Sequence, residues 1–318
     1  NSLMVVSAYL KVSEGGFEDP TAAAISYLQA FSEVYDRLSR PETVYTDWRE
    51  IARLQTRDLD HPDCWQQLEG SNYLRAYYKA PASDCLTQVE IWSPAKSWAM
   101  KSGEGRWLSD RIEDGIHRFY HPEVGRVTNS FTWTSGSGQY SVWYELYDLL
   151  TIGRFAHTSD VCRRLLLDSA KAVLQMGPDF SFSFPRIASY QTNERIPEPG
   201  DEYVNGGAYA YVMLQIYSLT GERKYLDAAA AGIRSIKGRV FQVPAEGHML
   251  GASICAGGWL YALTGDREFL ALSLEALAGL VQITWFWECD YGWGEFYRTF
   301  MLQAATTPNC RMGLCEQS

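Results

Sequence analysis

The sequence lacks several features that would assign a class of function at once. It has 38 Asp and Glu against 28 Lys and Arg, and the net charge of −10 argues against nucleic acid as the main partner. No apolar run could cross a bilayer without interruption by glycine or charge, so no membrane span is expected. The sequence has no phosphate-binding loop, dinucleotide fingerprint, nucleophile elbow or zinc-protease motif, and no cofactor is predicted.

Cysteine is sparse and scattered. None of the seven Cys forms a C-x-x-C pair, so a zinc knuckle is not expected and no metal is predicted. Cys310 and Cys315 could pair, but buried free thiols explain them equally well. The pattern leaves the compartment open, with secretion or the periplasm slightly favoured. The chain starts without Met and without a signal-like segment, which suggests that an N-terminal portion is missing.

A repeat with a period of 44 residues is the strongest pattern present. Residues 202–226 read EYVNGGAYAYVMLQIYSLTGERKYL, and residues 246–270 read EGHMLGASICAGGWLYALTGDREFL. This offset pairs Gly207 with Gly251. A fixed period of this size is typical of stacked copies of one supersecondary unit.

Each copy of the repeat is predicted to be a helical hairpin. Residues 205–219 are apolar nearly all round, as expected for a buried inner helix. Gly221 follows and can take the left-handed conformation that ends a helix. The second half is amphipathic, which predicts a half-exposed outer helix. In the second copy its apolar stripe consists of Leu270, Leu274, Leu277 and Val281.

Other helices are predicted from their capping residues. Asp19, Asp47 and Asp84 each precede a helical pattern, and the helix after Asp84 is expected to break or kink at Pro94. Residues 139–150 and 159–176 form a degenerate third copy of the hairpin. Five or six hairpins are expected in all. The remaining predictions are helix 105–120, a long loop at 177–201, and a loop at 285–298 that leads into a last helix ending near 305.

The hairpins and their Leu-Thr-Gly-Glu/Asp-Arg-x-Tyr/Phe-Leu turn resemble the six-hairpin glycosidase-like superfamily, firmly over 135–300 and weakly before. This superfamily includes glycoside hydrolases, polysaccharide lyases and sugar epimerases. The resemblance implies an all-α fold, with one α/α-toroid domain over 1–318 that can be incomplete at the N-terminus. Residues 1–19 would be an opening segment, and 135–305 hold the clearest hairpins. The turn motif identifies no single family, so no catalytic residue is carried over. The resemblance to the superfamily implies a ligand-binding cleft at the end of the toroid where the inner helices begin.

Two glutamates at equivalent repeat positions favour glycoside hydrolysis. Glu202 and Glu246 each come just before an inner helix, and hydrolysis needs two carboxyl groups beside the scissile bond. Each could instead simply interact with a helix N-terminus. The competing carboxylates are Asp201, Glu288, Asp290 and Glu295.

His248 supports a different chemistry. A lyase needs a base such as Tyr or His and a group that neutralises the uronate carboxylate. An epimerase could use His248 with a Glu or Tyr, although a lone His is more often structural. The residues that would serve a lyase are Tyr203, Asn205, His248, Tyr291 and Arg298.

The predicted ligand is an oligosaccharide or polysaccharide, with the oligomeric state left open. Arg186 and Arg195 would suit an acidic sugar. The predicted catalytic residues are Glu202, Glu246 and His248. The predicted substrate-binding residues are Trp133, Tyr140, Asp201, Tyr203, Asn205, Trp287, Asp290, Tyr291 and Trp293. For Trp143, ordinary packing is the stronger interpretation. A non-catalytic glycan-binding or scaffold toroid remains an alternative, and an isoprenoid-binding toroid is a weaker one.

Overall fold

The structure is a computed structural model. It describes residues 19–37, 47–77, 79, 83–130, 138–197, 205–240, 247–289 and 299–303, with no side chains described for 285–289 and 299–303. The predicted opening segment up to residue 18 and the Cys310 and Cys315 pair lie outside these ranges.

The described residues contain ten α-helices and eight short strands. The helices are α1 (Pro20–Tyr35), α2 (Trp48–Asp58), α3 (Cys85–Ser102), α4 (Arg106–Ile116), α5 (Val142–Gly153), α6 (Asp160–Asp179), α7 (Gly206–Thr220), α8 (Arg223–Arg234), α9 (Gly247–Thr264) and α10 (Arg267–Gln282). The strands are β1 (Trp65–Leu68), β2 (Ser71–Leu74), β3 (Tyr120–His121), β4 (Arg126–Val127), β5 (Gln139–Ser141), β6 (Ile187–Ser189), β7 (Thr284–Cys289) and β8 (Thr299–Gln303).

The helices form successive hairpins of an α/α toroid, as predicted. Helices α3, α5, α7 and α9 pack side by side as the inner layer, and each is followed by its outer partner α4, α6, α8 or α10. Helix α1 packs against α10, where the Thr21 hydroxyl donates to the buried Glu275 carboxyl over 2.9 Å. This arrangement brings the N-terminal ends of the inner helices to one end of the molecule.

The strands form four antiparallel pairs in the segments that connect the helices. The pairs are β1 with β2, β3 with β4, β5 with β6, and β7 with β8. In the pair that lies at the start of α5, Tyr140 is opposite Ala188. No helix in the described ranges is long and apolar enough to cross a membrane.

The helix caps predicted at Asp19, Asp47 and Asp84 are confirmed, since each accepts a hydrogen bond from a backbone N–H in the first turn of the helix that follows. Ser159, which was expected to be the first residue of its helix, caps α6 in the same way. These bonds satisfy donors that a helix leaves unpaired at its start, so a short polar residue before an apolar pattern is a reliable signal here.

Some expectations about local structure were wrong. Of the break or kink expected at Pro94, the break is absent, because α3 is continuous from Cys85 to Ser102; Pro94 is exposed, so the carbonyl left without a donor can face water. Residues 139–141 are strand rather than helix because they pair with β6, and the helix starts at Val142. Residues 284–289 and 299–303 are the paired strands β7 and β8 rather than parts of the expected loop and last helix, in agreement with the run of Thr, Trp and Phe that starts β7. The rest of that loop lies outside the described residues.

The apolar stripe predicted for α10 is not its buried face. Leu270 is 36% exposed, and Leu274, Leu277 and Val281 are only half-buried. The buried side chains of this helix are Phe269, Leu272, Ser273, Glu275 and Ala276 together with Ala278 and Gly279. The reason is that α10 packs on α9, α8 and α1 together, so its buried sector is wide and tolerates small and polar residues.

Candidate functional site

An aromatic cluster with one histidine lies at the N-terminal ends of the inner helices. His248 is the second residue of α9, and its ring lies 5.1 Å from the Trp143 ring and 4.5 Å from the Tyr147 ring, centroid to centroid. Tyr144 packs edge-on against Trp143 at 3.9 Å. The cluster therefore places a titratable side chain among flat apolar faces.

The contact between His248 and α5 crosses the interior of the ring. Helices α5 and α9 are not neighbours, because α7 packs between them. Trp143 is only 5% exposed, whereas Tyr144, Tyr147 and His248 are half-buried. A half-buried imidazole and phenol beside each other can exchange protons with a bound molecule, while the aromatic faces can pack against a sugar ring.

A buried ion pair anchors the start of α5. The Arg126 guanidinium from β4 donates to the Glu145 carboxylate over 2.8 Å, and both side chains are almost fully buried. Burial raises the pKa of Glu145, and Arg126 opposes that rise. Because a buried charge is tolerated only when paired, this bond fixes the helix that carries Trp143 and Tyr147.

Tyr140 belongs to this anchor in the structure. It is 4% exposed, stacks on Tyr190 at 4.7 Å and lies over the Arg126 guanidinium at 4.5 Å. Its hydroxyl donates to the Asn193 side chain over 2.5 Å. Burial raises the pKa of Tyr140. Tyr140 thus packs within the protein, and its assignment to the substrate stays a prediction.

Asp148 is a second buried carboxyl on α5, one turn after Glu145. Neither of its oxygens accepts a geometrically regular hydrogen bond from the described part of the chain. Burial raises its pKa well above the ordinary value, the charges of Asp84 and Glu145 raise it further, and an interaction with the Cys85 thiol only partly offsets this. Burial therefore favours the neutral form of the Asp148 carboxyl in the folded protein.

Asn205 lies at the start of α7 and is completely buried. Its backbone carbonyl accepts the first helical bond from Tyr209 over 3.0 Å. Neither its amide oxygen nor its amide nitrogen has a hydrogen-bond partner in the described residues, and its side chain does not cap the helix. Such a group is uncommon in folded proteins and calls for a specific explanation.

Most of the predicted site residues lie outside the described residues. These are Trp133, Asp201, Glu202, Tyr203, Glu246, Asp290, Tyr291 and Trp293, together with Glu295 and Arg298. Trp287 and the competing Glu288 lie on β7, but their side chains are not described. His248 and Asn205 both lie at the predicted end of the ring. Their roles, like those of the others, stay predictions.

The cationic side chains expected near an acidic sugar are already engaged. Arg195 donates to the backbone carbonyl of Ser183 over 2.7 Å and to its hydroxyl over 3.2 Å. Arg186 precedes β6 and also interacts with another residue. These arginines therefore give little independent support for an acidic ligand.

Sequence reasoning missed Arg126, Glu145 and Asp148. Two acidic residues three positions apart, in a helix otherwise rich in apolar side chains, were the available signal. No group of three or more His, Cys, Asp or Glu side chains in the described ranges is arranged to hold a metal ion.

Known structures share this architecture. The chain is similar to an alpha-mannanase of family GH76 from Bacteroides thetaiotaomicron, with 12% identity, coverage of 92% of this chain and 80% of that chain, and a TM-score of 0.56. It is similar to a cellobiose 2-epimerase from Bacillus thermoamylovorans, with 12% identity, coverage of 90% and 81%, and a TM-score of 0.56. It is also similar to a D-mannose isomerase, with 13% identity, coverage of 91% and 80%, and a TM-score of 0.53.

These similarities show the fold. The chain has the six-hairpin glycosidase-like fold, as its repeat suggested. No protein-family model matches the sequence. No curated protein matches it either. At identities this low, the reactions of the similar proteins do not transfer by themselves.

Proposed function

We propose that this protein is a carbohydrate-active enzyme that binds an oligosaccharide or polysaccharide where its inner helices begin. The observation that carries the proposal is the position of His248, whose ring packs against Trp143 and Tyr147 inside the ring. The names of the similar structures, a mannanase, an epimerase and an isomerase, support a saccharide as the ligand. Aromatic faces beside polar groups are the usual lining of such a site.

For the reaction, the geometry best supports proton transfer to and from a sugar carbon, as in epimerisation or isomerisation. Such a reaction needs an acid/base group held beside the ring that reacts. We assign this role to His248, and the phenol of Tyr147, whose ring lies 4.5 Å from the imidazole, is the candidate for a second acid/base group. The buried Arg126–Glu145 pair keeps α5, and with it Tyr147, in position.

Glycoside hydrolysis is the second candidate. Its support is the repeat itself, since Glu202 and Glu246 occupy equivalent positions before consecutive inner helices. A lyase that uses His248 with Tyr203 is a variant of the first mechanism and differs from it in forming a C=C bond.

Three product readouts separate these reactions. The protein would be incubated with neutral and uronate-containing oligosaccharides and with free aldoses. New reducing ends would indicate hydrolysis, ultraviolet absorbance would indicate elimination, and a changed sugar in the NMR spectrum would indicate epimerisation or isomerisation. If none of the three appears on any substrate while sugars still bind, the non-catalytic alternative is correct.

The residue test compares two histidines. If His248 is the acid/base group, His248→Gln should lower turnover by roughly 10²–10⁴-fold with little change in Tm. His157→Gln is the matched control, because His157 is exposed and its ring contacts the Ser218 hydroxyl near the opposite ends of these helices. Full activity of His248→Gln, with loss of activity in Glu202→Gln and Glu246→Gln, would contradict the first mechanism and support hydrolysis.

A further inference from the structure

Helix α2 turns its apolar side away from the rest of the chain. An amphipathic surface helix normally packs its apolar stripe on the core. In α2 the half-buried positions are Ala52 and Thr56, whereas Ile51 and Leu54 are exposed. At 3.6 residues per turn, Leu54 lies about 160° around the helix from Ala52, and Ile51 lies about 140° from Thr56. The exposed apolar sector is therefore on the side opposite to the half-buried one.

Contacts with the end of α3 and the turn after it hold α2 in this orientation. The Arg53 guanidinium donates to the Glu104 carboxylate over 2.8 Å. Trp48 packs edge-on against the buried Trp98 ring at 5.3 Å, centroid to centroid, yet it is 58% exposed. Turning the apolar sector inward would break both contacts, so the sector stays on the outside.

The turn between α3 and α4 extends the apolar surface. Met100, near the end of α3, and Trp107, at the start of α4, are both exposed. We call the five side chains of this region the α2 surface; they are Trp48, Ile51, Leu54, Met100 and Trp107. They are half of the ten large apolar side chains that are exposed in the described residues. Such a concentration, bordered by polar groups, is typical of an interaction site.

The charges beside the α2 surface favour an anionic partner. The acidic groups there already interact within the chain, as a helix cap or as ion-pair partners of arginine; they are Asp47, Glu50, Asp58 and Glu104. Arg49, Lys101 and Arg106 are exposed and have no acidic partner among the residues that the structure describes. Although the whole chain carries a net charge of −10, the charges still available here are positive.

A second copy of the chain fits the α2 surface less well than a membrane does. Five partly exposed side chains supply less area than the roughly 800 Å² that each partner of a stable protein complex buries. Two copies would also bring their available cations together. A bilayer requires neither a large area nor a matching shape, because apolar side chains of an interfacial helix enter it individually between the lipid headgroups.

We propose that the α2 surface binds a membrane that contains anionic lipids. Trp48, Ile51 and Leu54 enter the headgroup region, as tryptophan and aliphatic side chains of interfacial helices do. The three available cations lie beside the anionic headgroups. Helix α2 lies in the plane of the membrane surface and does not span the bilayer.

This attachment leaves the candidate cleft open to solvent. The inner helix α3 begins at the cleft end and ends beside α2, so the α2 surface and the cleft lie at opposite ends of α3. Membrane binding is therefore separate from the proposed function, and either can be wrong without the other.

The test is co-sedimentation of the full chain with vesicles of phosphatidylcholine, with and without phosphatidylserine. The protein should bind the anionic vesicles at least about tenfold more tightly, because each cation near the surface strengthens binding roughly fivefold. Added salt should weaken the binding, since it screens these charges. Absent binding, or equal binding to the two kinds of vesicle, would overturn the proposal.

Variants then locate the binding surface. Ile51→Ser combined with Leu54→Ser should reduce binding to anionic vesicles at least about tenfold, with little change in Tm because both side chains are exposed. Leu167→Ser is the matched control, since Leu167 is similarly exposed on the outer helix α6 and should not affect binding. Arg49→Gln should weaken binding about fivefold and reduce its dependence on salt. Unchanged binding in the double variant contradicts the proposal.

The exposed tryptophans provide a readout that does not depend on loss of binding. Bromine atoms on the acyl chains quench tryptophan rings that enter the membrane, so vesicles of brominated lipid should quench the wild-type fluorescence. Trp48→Phe combined with Trp107→Phe should lose this quenching while the protein still sediments with the vesicles. This pair replaces the serine variant if that variant does not fold, and quenching that persists counts against the α2 surface.

Two other partners would give different results, and each would overturn the proposal. If the α2 surface joins two copies, ultracentrifugation without vesicles would show a dimer that the serine variant abolishes. If it binds an acidic polysaccharide, a gel containing polygalacturonate would retard the wild-type protein but not the serine variant, and vesicles would not bind. A membrane partner predicts neither result.

Discussion

The two regular copies of the repeat share their turn sequence and a few inner-helix positions, but their helices have different surroundings. Their turns agree closely, since Gly221 and Gly265 both adopt left-handed backbone, with φ of 69° and 72°. Their inner helices differ at the equivalent glycines. Gly207 of α7 is in tight contact with Ser253 of α9, whereas no atom of the described residues lies within 4 Å of a Cβ placed at Gly251 of α9. The same residue type therefore serves close helix packing in one copy and meets open space in the other.

The comparison shows that the repeated sequence determines the hairpin but not the contacts that its helices make with neighbouring helices. The turn depends on residues within one copy, because the Thr hydroxyl in each copy accepts from the backbone two residues later. The lateral contact depends on which helix stands beside the copy. Equivalent substitutions should therefore give equal effects in the turn and unequal effects on the inner helix.

The largest expected effect comes from alanine at the packed glycine. Gly207→Ala should lower the free energy of unfolding by about 3 kcal/mol, since the added Cβ would lie 2.6 Å from the Ser253 backbone. Gly251→Ala should raise it by about 0.5–1 kcal/mol, because alanine favours the helix and has room. Urea unfolding of both variants measures the difference, and equal losses would refute the comparison.

The degenerate third copy extends the comparison, because its inner helix α5 buries acidic side chains. Burial raises the pKa of Asp148 above the ordinary value of about 4. Between the ordinary and the raised pKa, this group therefore stays protonated in the folded state while it ionises in the unfolded chain. Wild-type stability should fall as pH rises above about 4 toward the raised pKa. Asp148→Asn should be more stable at pH 8 by about 1–3 kcal/mol, and this advantage should disappear near pH 4.

Tm measured between pH 4 and pH 8 tests this prediction. The control is Asp227→Asn on the outer helix α8, because Asp227 is exposed and pairs with Arg223 on the surface. That variant should change little at any pH. An advantage of Asp148→Asn that does not depend on pH would show that ionisation of this carboxyl is not the cause.

The smallest expected effect concerns the turns, in which the two copies agree. Gly221→Ala and Gly265→Ala should each lower the free energy of unfolding by about 1 kcal/mol, since left-handed backbone disfavours a side chain. Among the described residues, no atom lies within 4 Å of an added Cβ at either position, so no collision adds to this loss. Losses that differ between the two variants by more than about 0.5 kcal/mol would show that the turns are not equivalent.

Part of the candidate site could be predicted from local pattern. The repeat placed His248 and Asn205 at the starts of inner helices, where the structure has them. It could not show that His248 reaches Trp143 and Tyr147, because these residues are about a hundred positions earlier and meet His248 only when the ring forms. The pairing of Arg126 with Glu145 was missed because these residues are 19 positions apart and belong to different elements, β4 and α5.

The sequence by itself determined the hairpins, their caps and their turns, because these depend on contacts between residues a few positions apart. Asp84 and Ser159 cap the helices they precede, and Gly221 ends α7. Tertiary structure decided which faces are buried and which polar groups are paired. It placed Phe269 rather than Leu270 in the core, because α10 has several helical neighbours. It also left the Asn205 amide buried without a partner from the described chain, because Gly206 and Gly207 hold it between two helices.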